Sequence, residues 1–325
     1  MRPFAHFSVR SVEEACQTLG EWGWRARVNA GGSDLLTVLN GDFLPAYPEA
    51  VIDLKPIRGL DSVEEDGESL RIGALTTLAA VVRSPLLQVR YPLLVEAART
   101  VGTPQIRNVA TVGGNLCQDV RCWYYRYPRK IGGPIPCVRK GGSGCRAVKG
   151  DNRYHAIMGG RRCFAVCPSD LAVALAALDG KVIISGPRGE RRVALPDFYS
   201  PLGNCLASDE IVREIEVPIG RGAPRQTFSK FTLRKPVDFA IVSVAAALEL
   251  EAGTCTRARI ALGAVAPSPV RATGAEEMLT GQPLTRELAR LAAEAAVREA
   301  KPLSRNGYKV QIAKALVERE LAGAS

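Results

Sequence analysis

The chain is expected to fold as an α+β protein, and three observations predict it. Strand-like runs alternate with amphipathic helical runs through the N-terminal part of the sequence. Near the C-terminus, strand-like runs come first and helical runs follow, the order expected of an antiparallel sheet covered by helices. Between these regions, residues 120–165 hold no sustained period and are rich in Gly, Pro, Arg and Cys. At 325 residues the chain can build two or three domains with real cores. We divide it into residues 1–221, which carry the insertion 120–165, and residues 222–325.

In the first domain SVEEACQTLG reads as a helix, with Ser11 as N-cap and Glu14 at the capping-box position. RARVNAGGSDLLTVLN reads as a strand, a glycine turn and a helix. AVIDL and SLRIGAL are strands, and TTLAAVVRS and YPLLVEAARTV are helices. Beyond the insertion, SDLAVALAALDG is a helix, KVIISGP a strand, LPDFYSPLG a loop and EIVREIEVPI a strand. The second domain has strands at FSKFTLRK, FAIVSVAAALELE and ARIALGAVAPSPVRA. Its helices are TGAEEMLTG, TRELARLAAEAAVREA and GYKVQIAKALVERELAG.

The formal charge of +10 is local. Eleven Lys and Arg stand between Arg121 and Arg162 against a single acid, Asp151, so this stretch alone carries the excess. No nucleic-acid-binding pattern accompanies it, and nucleic acid is not an expected partner. No apolar run approaches about 18 residues, so no membrane-spanning helix is expected. The N-terminus lacks an apolar signal region and a twin-arginine pair. A cytoplasmic location is therefore expected, with the periplasm open only through a signal-bearing partner.

Four features bear on chemistry. Asn29-Ala30-Gly31-Gly32-Ser33-Asp34-Leu35 joins a strand to a helix through two glycines. Such a turn lets a ligand approach the backbone closely and offers amides to a pyrophosphate, although many strand-to-helix junctions need glycine for their own geometry. Thr111-Val112-Gly113-Gly114-Asn115 reads as a second turn of this kind, after another strand-like run, and the two suggest opposite edges of a dinucleotide cradle. The third feature is the cysteine loop. Five of nine Cys lie at C-x14-C-x7-C-x17-C-x3-C from Cys122 to Cys167, while the whole chain has two His. Four thiolates can close a zinc site or hold an iron–sulfur cluster. Structural zinc usually shows paired close cysteines, whereas a cubane accepts dispersed ones, and the loop's basic excess suits an anionic cluster. Reactive or buried thiols on a solvated basic loop are the plainer reading. Fourth, Lys230 in FSKF lies on a strand, where a solvated lysine is the ordinary case. No Ser-His-Asp array, His pair or carboxylate pair stands out, so no catalytic residue is assigned.

Taken in order, NAGGSDLL, IGALTTLAAV, IRNVATVGGNLCQ, HAIMGGRRCFAVCPSDLAVAL, FAIVSVAAALEL and LGAVAPSPVRA resemble the FAD-binding subunit of molybdenum hydroxylases. That family includes xanthine dehydrogenase, carbon monoxide dehydrogenase and aldehyde oxidoreductases. The resemblance implies an FAD-binding fold of the vanillyl-alcohol-oxidase type in two subdomains, followed by a C-terminal α+β domain. It implies cofactor contacts at Asn29, Ala30, Gly31, Gly32, Ser33, Asp34, Leu35, Thr103, Thr111, Gly114 and Asn115. Asp170 and Lys230 match positions that contact the flavin or its ribityl arm. Cys117 would then lie near the FAD as a small apolar filler.

The loop RCWYYRYP…PCVRKGGSGCRAV…RRC is similar to a subgroup with an inserted 4Fe–4S cluster, the periplasmic-type aldehyde oxidoreductases and 4-hydroxybenzoyl-CoA reductase. Carried over by position, the ligands are Cys122, Cys137, Cys145 and Cys163, with Cys167 as a competitor for the fourth place. The implied assembly is a heterotrimer with a large molybdopterin subunit and a small 2Fe–2S subunit. It would oxidise an aldehyde, or next an N-heterocycle or purine, and pass electrons through FAD to an external acceptor. Two other readings stand beside it: a benzoyl-CoA-type reductase subunit with electrons flowing towards molybdenum, and a non-enzymatic zinc module.

Overall fold

The computed structural model describes residues 1–219, 224–234 and 237–323. The expected boundary at residue 222 lies outside the described residues. The chain is a mixed helix and sheet protein built on three principal sheets. Strands Ala5–Ser8, Ala26–Asn29 and Ala50–Asp53 form a parallel sheet with the third strand in the middle. Its central strand is buried at every residue, as parallel strands covered on both faces are. The helix Val12–Trp22 packs on this sheet and buries Ala15, Cys16 and Leu19. It starts as expected at Ser11, whose Oγ accepts from the Glu14 amide at 3.1 Å. Glu14 reaches back one residue further than a capping box requires and accepts from the Arg10 amide at 2.7 Å.

The second sheet is antiparallel and has five strands: Val63–Glu65, Ser69–Gly73, Ile211–Pro218, Lys181–Gly186 and Gly189–Ala194 in spatial order. Leu70, Ile72, Val182, Ile184, Ile215 and Val217 feed one core with the helices Leu78–Arg83, Pro92–Arg99 and Asp170–Ala177. Every residue of Asp170–Ala177 is buried, which explains why its sequence after Asp170 is apolar on all sides. The third sheet comprises Arg225–Phe231, Val242–Glu251, Thr254–Gly263 and the short Val270–Arg271 in that order, with Gln282–Pro283 also paired to Thr254–Gly263. The helices Thr273–Leu279, Arg286–Ala296 and Tyr308–Ala322 share a core with it. Ala245 and Ala261 belong instead to the core of the second sheet, so the two domains are packed together.

Two local expectations change. VATVGG does not present a strand and a turn. Residues Pro104–Val109 are a helix capped by Thr103, and Val112–Cys117 is a second helix that contains both glycines. Only Thr111 between them touches extended chain, in a single bridge to Thr77. The reason is capping: the Thr111 Oγ1 accepts from the Gly114 amide at 3.2 Å and starts the helix there. LPDFYSPLG is likewise not a plain loop. It forms a helical turn, Leu195–Phe198, and a small hairpin pairing Tyr199–Ser200 with Gly203–Asn204.

Candidate functional site

The first glycine turn leaves the C-terminal end of the parallel sheet. There Asn29 and Asp53 end adjacent strands, and the Asn29 amide donates to the Asp53 carboxylate at 2.8 Å. Gly32 has φ +68°, a conformation that glycine adopts without strain. Gly31 sits against the end of the helix Pro104–Val109: a Cβ on it would lie 1.9 Å from the Val109 carbonyl oxygen. The backbone amides of Gly31, Gly32, Ser33, Asp34 and Leu35 donate to no protein acceptor among the described residues.

The second glycine pair behaves differently. The Gly113 amide donates to the Ala74 carbonyl at 2.8 Å, and a Cβ there would strike the Ala74 side chain. The Gly114 and Asn115 amides are taken by Thr111. These glycines bring a helix close to the second sheet rather than offering free amides. Between the two glycine segments lies a cleft of about 570 Å³. Ala30 to Leu35 form one wall, and Ala74, Thr111, Gly113 and Gly114 form another. The hairpin around Leu202 and the residues Cys117, Cys167, Tyr125 and Arg139 complete it. That volume is in the ordinary range for small-molecule and cofactor sites. That volume, with the free amides of Gly31 to Leu35 along one wall, fits a dinucleotide such as FAD.

Not every expected residue reaches this cleft. Asn115 is buried and accepts from the Ser169 hydroxyl at 2.7 Å. Thr103 caps its helix at the Ile106 amide, 3.4 Å away. Lys230 and Asp170 pair with each other at 2.7 Å with both side chains 5% exposed. Lys230 also donates to the Thr100 carbonyl at 2.9 Å. Burial raises the Asp170 carboxyl, and the lysine opposes this. The pair therefore joins the two domains beside the cleft rather than inside it. Cys117 is not a buried filler: it is exposed on the cleft wall.

Asp34 ties the cleft to the cysteine loop. Its carboxylate pairs with Arg121 and Arg126, each at 2.9 Å, and accepts from the Asp119 amide at 2.9 Å. Burial alone would raise its pKa, but the two guanidiniums and the amide hold it below the usual carboxylate value. The neck of the loop is closed by two backbone hydrogen bonds between Arg121 and Val166. Inside, Cys137 and Cys163 are buried in one apolar cluster with Val38, Phe43 and Tyr125, and Cys122 packs against it. Burial pushes the Cys122 thiol up to about 12, opposed by the amides of Tyr125 and Tyr124; nearby Cys163 and Cys145 raise it further. Cys167 lies elsewhere, beside Tyr199 on the cleft wall. Among the described residues, no group of three or more His, Cys, Asp or Glu is arranged to hold a metal ion.

Several residues around the thiols were not singled out by sequence. His155 places Nε2 3.2 Å from the Cys122 sulfur. Burial, then Lys309, pushes this imidazole down to about 4, so it is neutral near pH 7. Arg139 donates from Nε to the Cys163 sulfur at 3.0 Å. The Lys140 Nζ is buried without a hydrogen-bond partner among the described residues and is flanked by the rings of Phe43 and Tyr125. The only signal for these residues was the local excess of basic charge. Charge alone does not tell a solvated cation from one turned inward.

A cleft of this volume, with free backbone amides along one wall, is the site of a cofactor-binding protein. Residues 2–220 match the family model described as the FAD binding domain in molybdopterin dehydrogenase. Residues 226–324 match the CO dehydrogenase flavoprotein C-terminal domain. The chain belongs to the FAD-binding subunits of the molybdenum hydroxylase family. It is 32% identical to the aldehyde oxidoreductase FAD-binding subunit PaoB of Escherichia coli K12, over 92% of this chain and 91% of that one. It is 29% identical to the carbon monoxide dehydrogenase medium chain of Hydrogenophaga pseudoflava, over 99% and 96%. A solved structure of carbon monoxide dehydrogenase from that organism superposes with a TM-score of 0.79, covering 98% of this chain and 96% of that one at 29% identity.

Proposed function

We propose that this chain carries FAD in the cleft and a 4Fe–4S cluster in the cysteine loop, and transfers electrons within a heterotrimer. Its partners are a large molybdopterin subunit, where an aldehyde or next an N-heterocycle is oxidised, and a small 2Fe–2S subunit. An external acceptor takes the electrons from this chain. Residues 1–221 form the flavin and cluster domain and residues 222–325 the C-terminal domain, and the assembly works in the cytoplasm.

When bound, the FAD exchanges one or two electrons and the cluster exchanges one. The chain's own residues supply binding and electrostatics. The free amides of Gly31 to Leu35 suit an anionic pyrophosphate. Thr111, Gly114 and Asn115 fix the opposite wall through the helix start and the bond to Ser169. Cys122, Cys137, Cys145 and Cys163 are the cluster ligands. The Tyr124 and Tyr125 amides and Arg139 aim donors at ligand sulfurs.

The observation that carries the cluster is the Lys140 ammonium, buried beside the thiol cluster with no hydrogen-bond partner among the described residues; burial lowers its pKa, and nearby Cys137 and Cys122 oppose this. A buried cation held by ring faces alone, without a hydrogen bond, is costly unless an anion sits beside it. An iron–sulfur centre with four thiolates is such an anion. Its ligands meet it at separate corners, which is compatible with thiols that gather without converging as they would on one zinc ion.

The test is purification with native partners, followed by measurement of flavin, iron, acid-labile sulfide and zinc per complex. Flavin with iron and sulfide is expected, and aldehydes or N-heterocycles should bleach the flavin. Zinc without iron would remove the cluster, and a flavin-free complex would remove the whole reading.

A further inference from the structure

We infer that Arg139 is a positioning residue that couples the thiol cluster to the FAD cleft and sets the potential of the iron–sulfur centre. The inference rests on the cluster reading above. The guanidinium spans two structures. Its Nε donates to the Cys163 sulfur at 3.0 Å. Its Nη1 and Nη2 donate to the carbonyls of Leu202 and Pro201, at 2.9 and 3.1 Å. Those carbonyls lie in the tip of the hairpin that closes the cleft, and Arg139 itself lines the cleft. The Tyr125 ring lies 5.8 Å from the guanidinium carbon and completes its seat.

Two consequences follow from this geometry. A cationic donor on a ligating thiolate withdraws electron density from the sulfur and favours the more negative, reduced centre. The fork also fixes where the hairpin stands relative to Cys163, so the cleft wall and the cluster loop hold a set spacing. Lysine keeps the charge but cannot donate in two directions from one plane.

The experiment uses the co-purified complex with wild-type chain, Arg139→Gln, Arg139→Lys and Arg146→Gln. Arg146 belongs to the same loop but donates to the Pro136 carbonyl, 2.9 Å away. Iron, sulfide and FAD contents are measured first, then the midpoint potentials of cluster and flavin in a spectroscopic redox titration. Arg139→Gln is expected to shift the cluster potential to a more negative value, Arg139→Lys to shift it less, and Arg146→Gln to leave it in place. Should Arg139→Gln fail to assemble, the Lys variant decides, because it must still shift the potential. An iron-replete complex whose potential does not move in either Arg139 variant sinks this inference alone. An equal shift in Arg146→Gln also sinks it, since general loop charge would then suffice. Iron-free wild-type complex sinks the cluster reading and this inference with it.

Discussion

Asp34 stands in the glycine turn, and its carboxylate is the acidic partner of both Arg121 and Arg126. Replacing it with Asn leaves two largely buried guanidiniums short of a counter-charge, at a cost of about 3 kcal/mol. Urea denaturation should show that loss, and gel filtration should show faster release of flavin. The pH dependence follows from the same group. Its folded pKa is depressed, so its contribution is complete above the ordinary carboxylate value and is lost as pH falls through the folded one. The stability gap between wild type and Asp34→Asn should therefore close in acid. Gly31→Ala tests the close approach itself. The added methyl meets the Val109 carbonyl, so the turn must move. The variant is expected to purify with a reduced flavin-to-protein ratio; full flavin content would show that the approach is not needed. The glycines and the acid were readable in sequence as a ligand turn. The partners of Asp34 were not, because Arg126 is 92 positions away and only folding brings it back.

At the scale of elements, the buried pair of Lys230 and Asp170 joins the strand Arg225–Phe231 to the helix Asp170–Ala177. Lys230→Met removes one partner and leaves an acid inside, which should cost about 3–5 kcal/mol. The double variant Lys230→Met with Asp170→Leu should recover much of that loss. If chemical denaturation gives additive losses instead, the pair does not act as a unit. The resemblance matched both residues to positions that contact the flavin or its ribityl arm; the structure pairs them with each other at the domain junction. The second glycine pair shows a related effect. VATVGG has the β-branched composition of a strand, but Thr103 and Thr111 each cap a helix and the chain follows the caps. The helix Asp170–Ala177, apolar after its first residue, the strand Val242–Glu251 and the second half of Thr254–Gly263 were legible, because their patterns report burial directly.

At the scale of the whole molecule, the cysteine loop is held from both sides. Asp34 grips its start. The C-terminal segment grips its end: Asn152 bonds to Ser304 and Arg305, and Asn306 and Lys309 donate to the His155 carbonyl at 3.1 and 3.0 Å. The loop is thus an integral part of the fold, although its residues carry little regular structure of their own. Cys145→Ser should lower iron content sharply and make residues 120–165 the first site of limited proteolysis, since metal binding and local order are linked. Full iron retention would remove Cys145 from the ligand set.

The sequence by itself determined the α+β class, the strand-to-helix turn at Gly31 and Gly32, and the concentration of thiols and positive charge in one loop. These are local properties, written in composition, period and spacing. Only the tertiary structure decided that the first turn keeps its amides free while the second glycine pair spends its own on packing. It also decided that Lys230 serves the domain junction, and that Arg139 and Lys140 turn inward to the thiols. Those outcomes depend on which distant groups fold against each residue, and a buried cation and a solvated one read alike until the surrounding chain is in place.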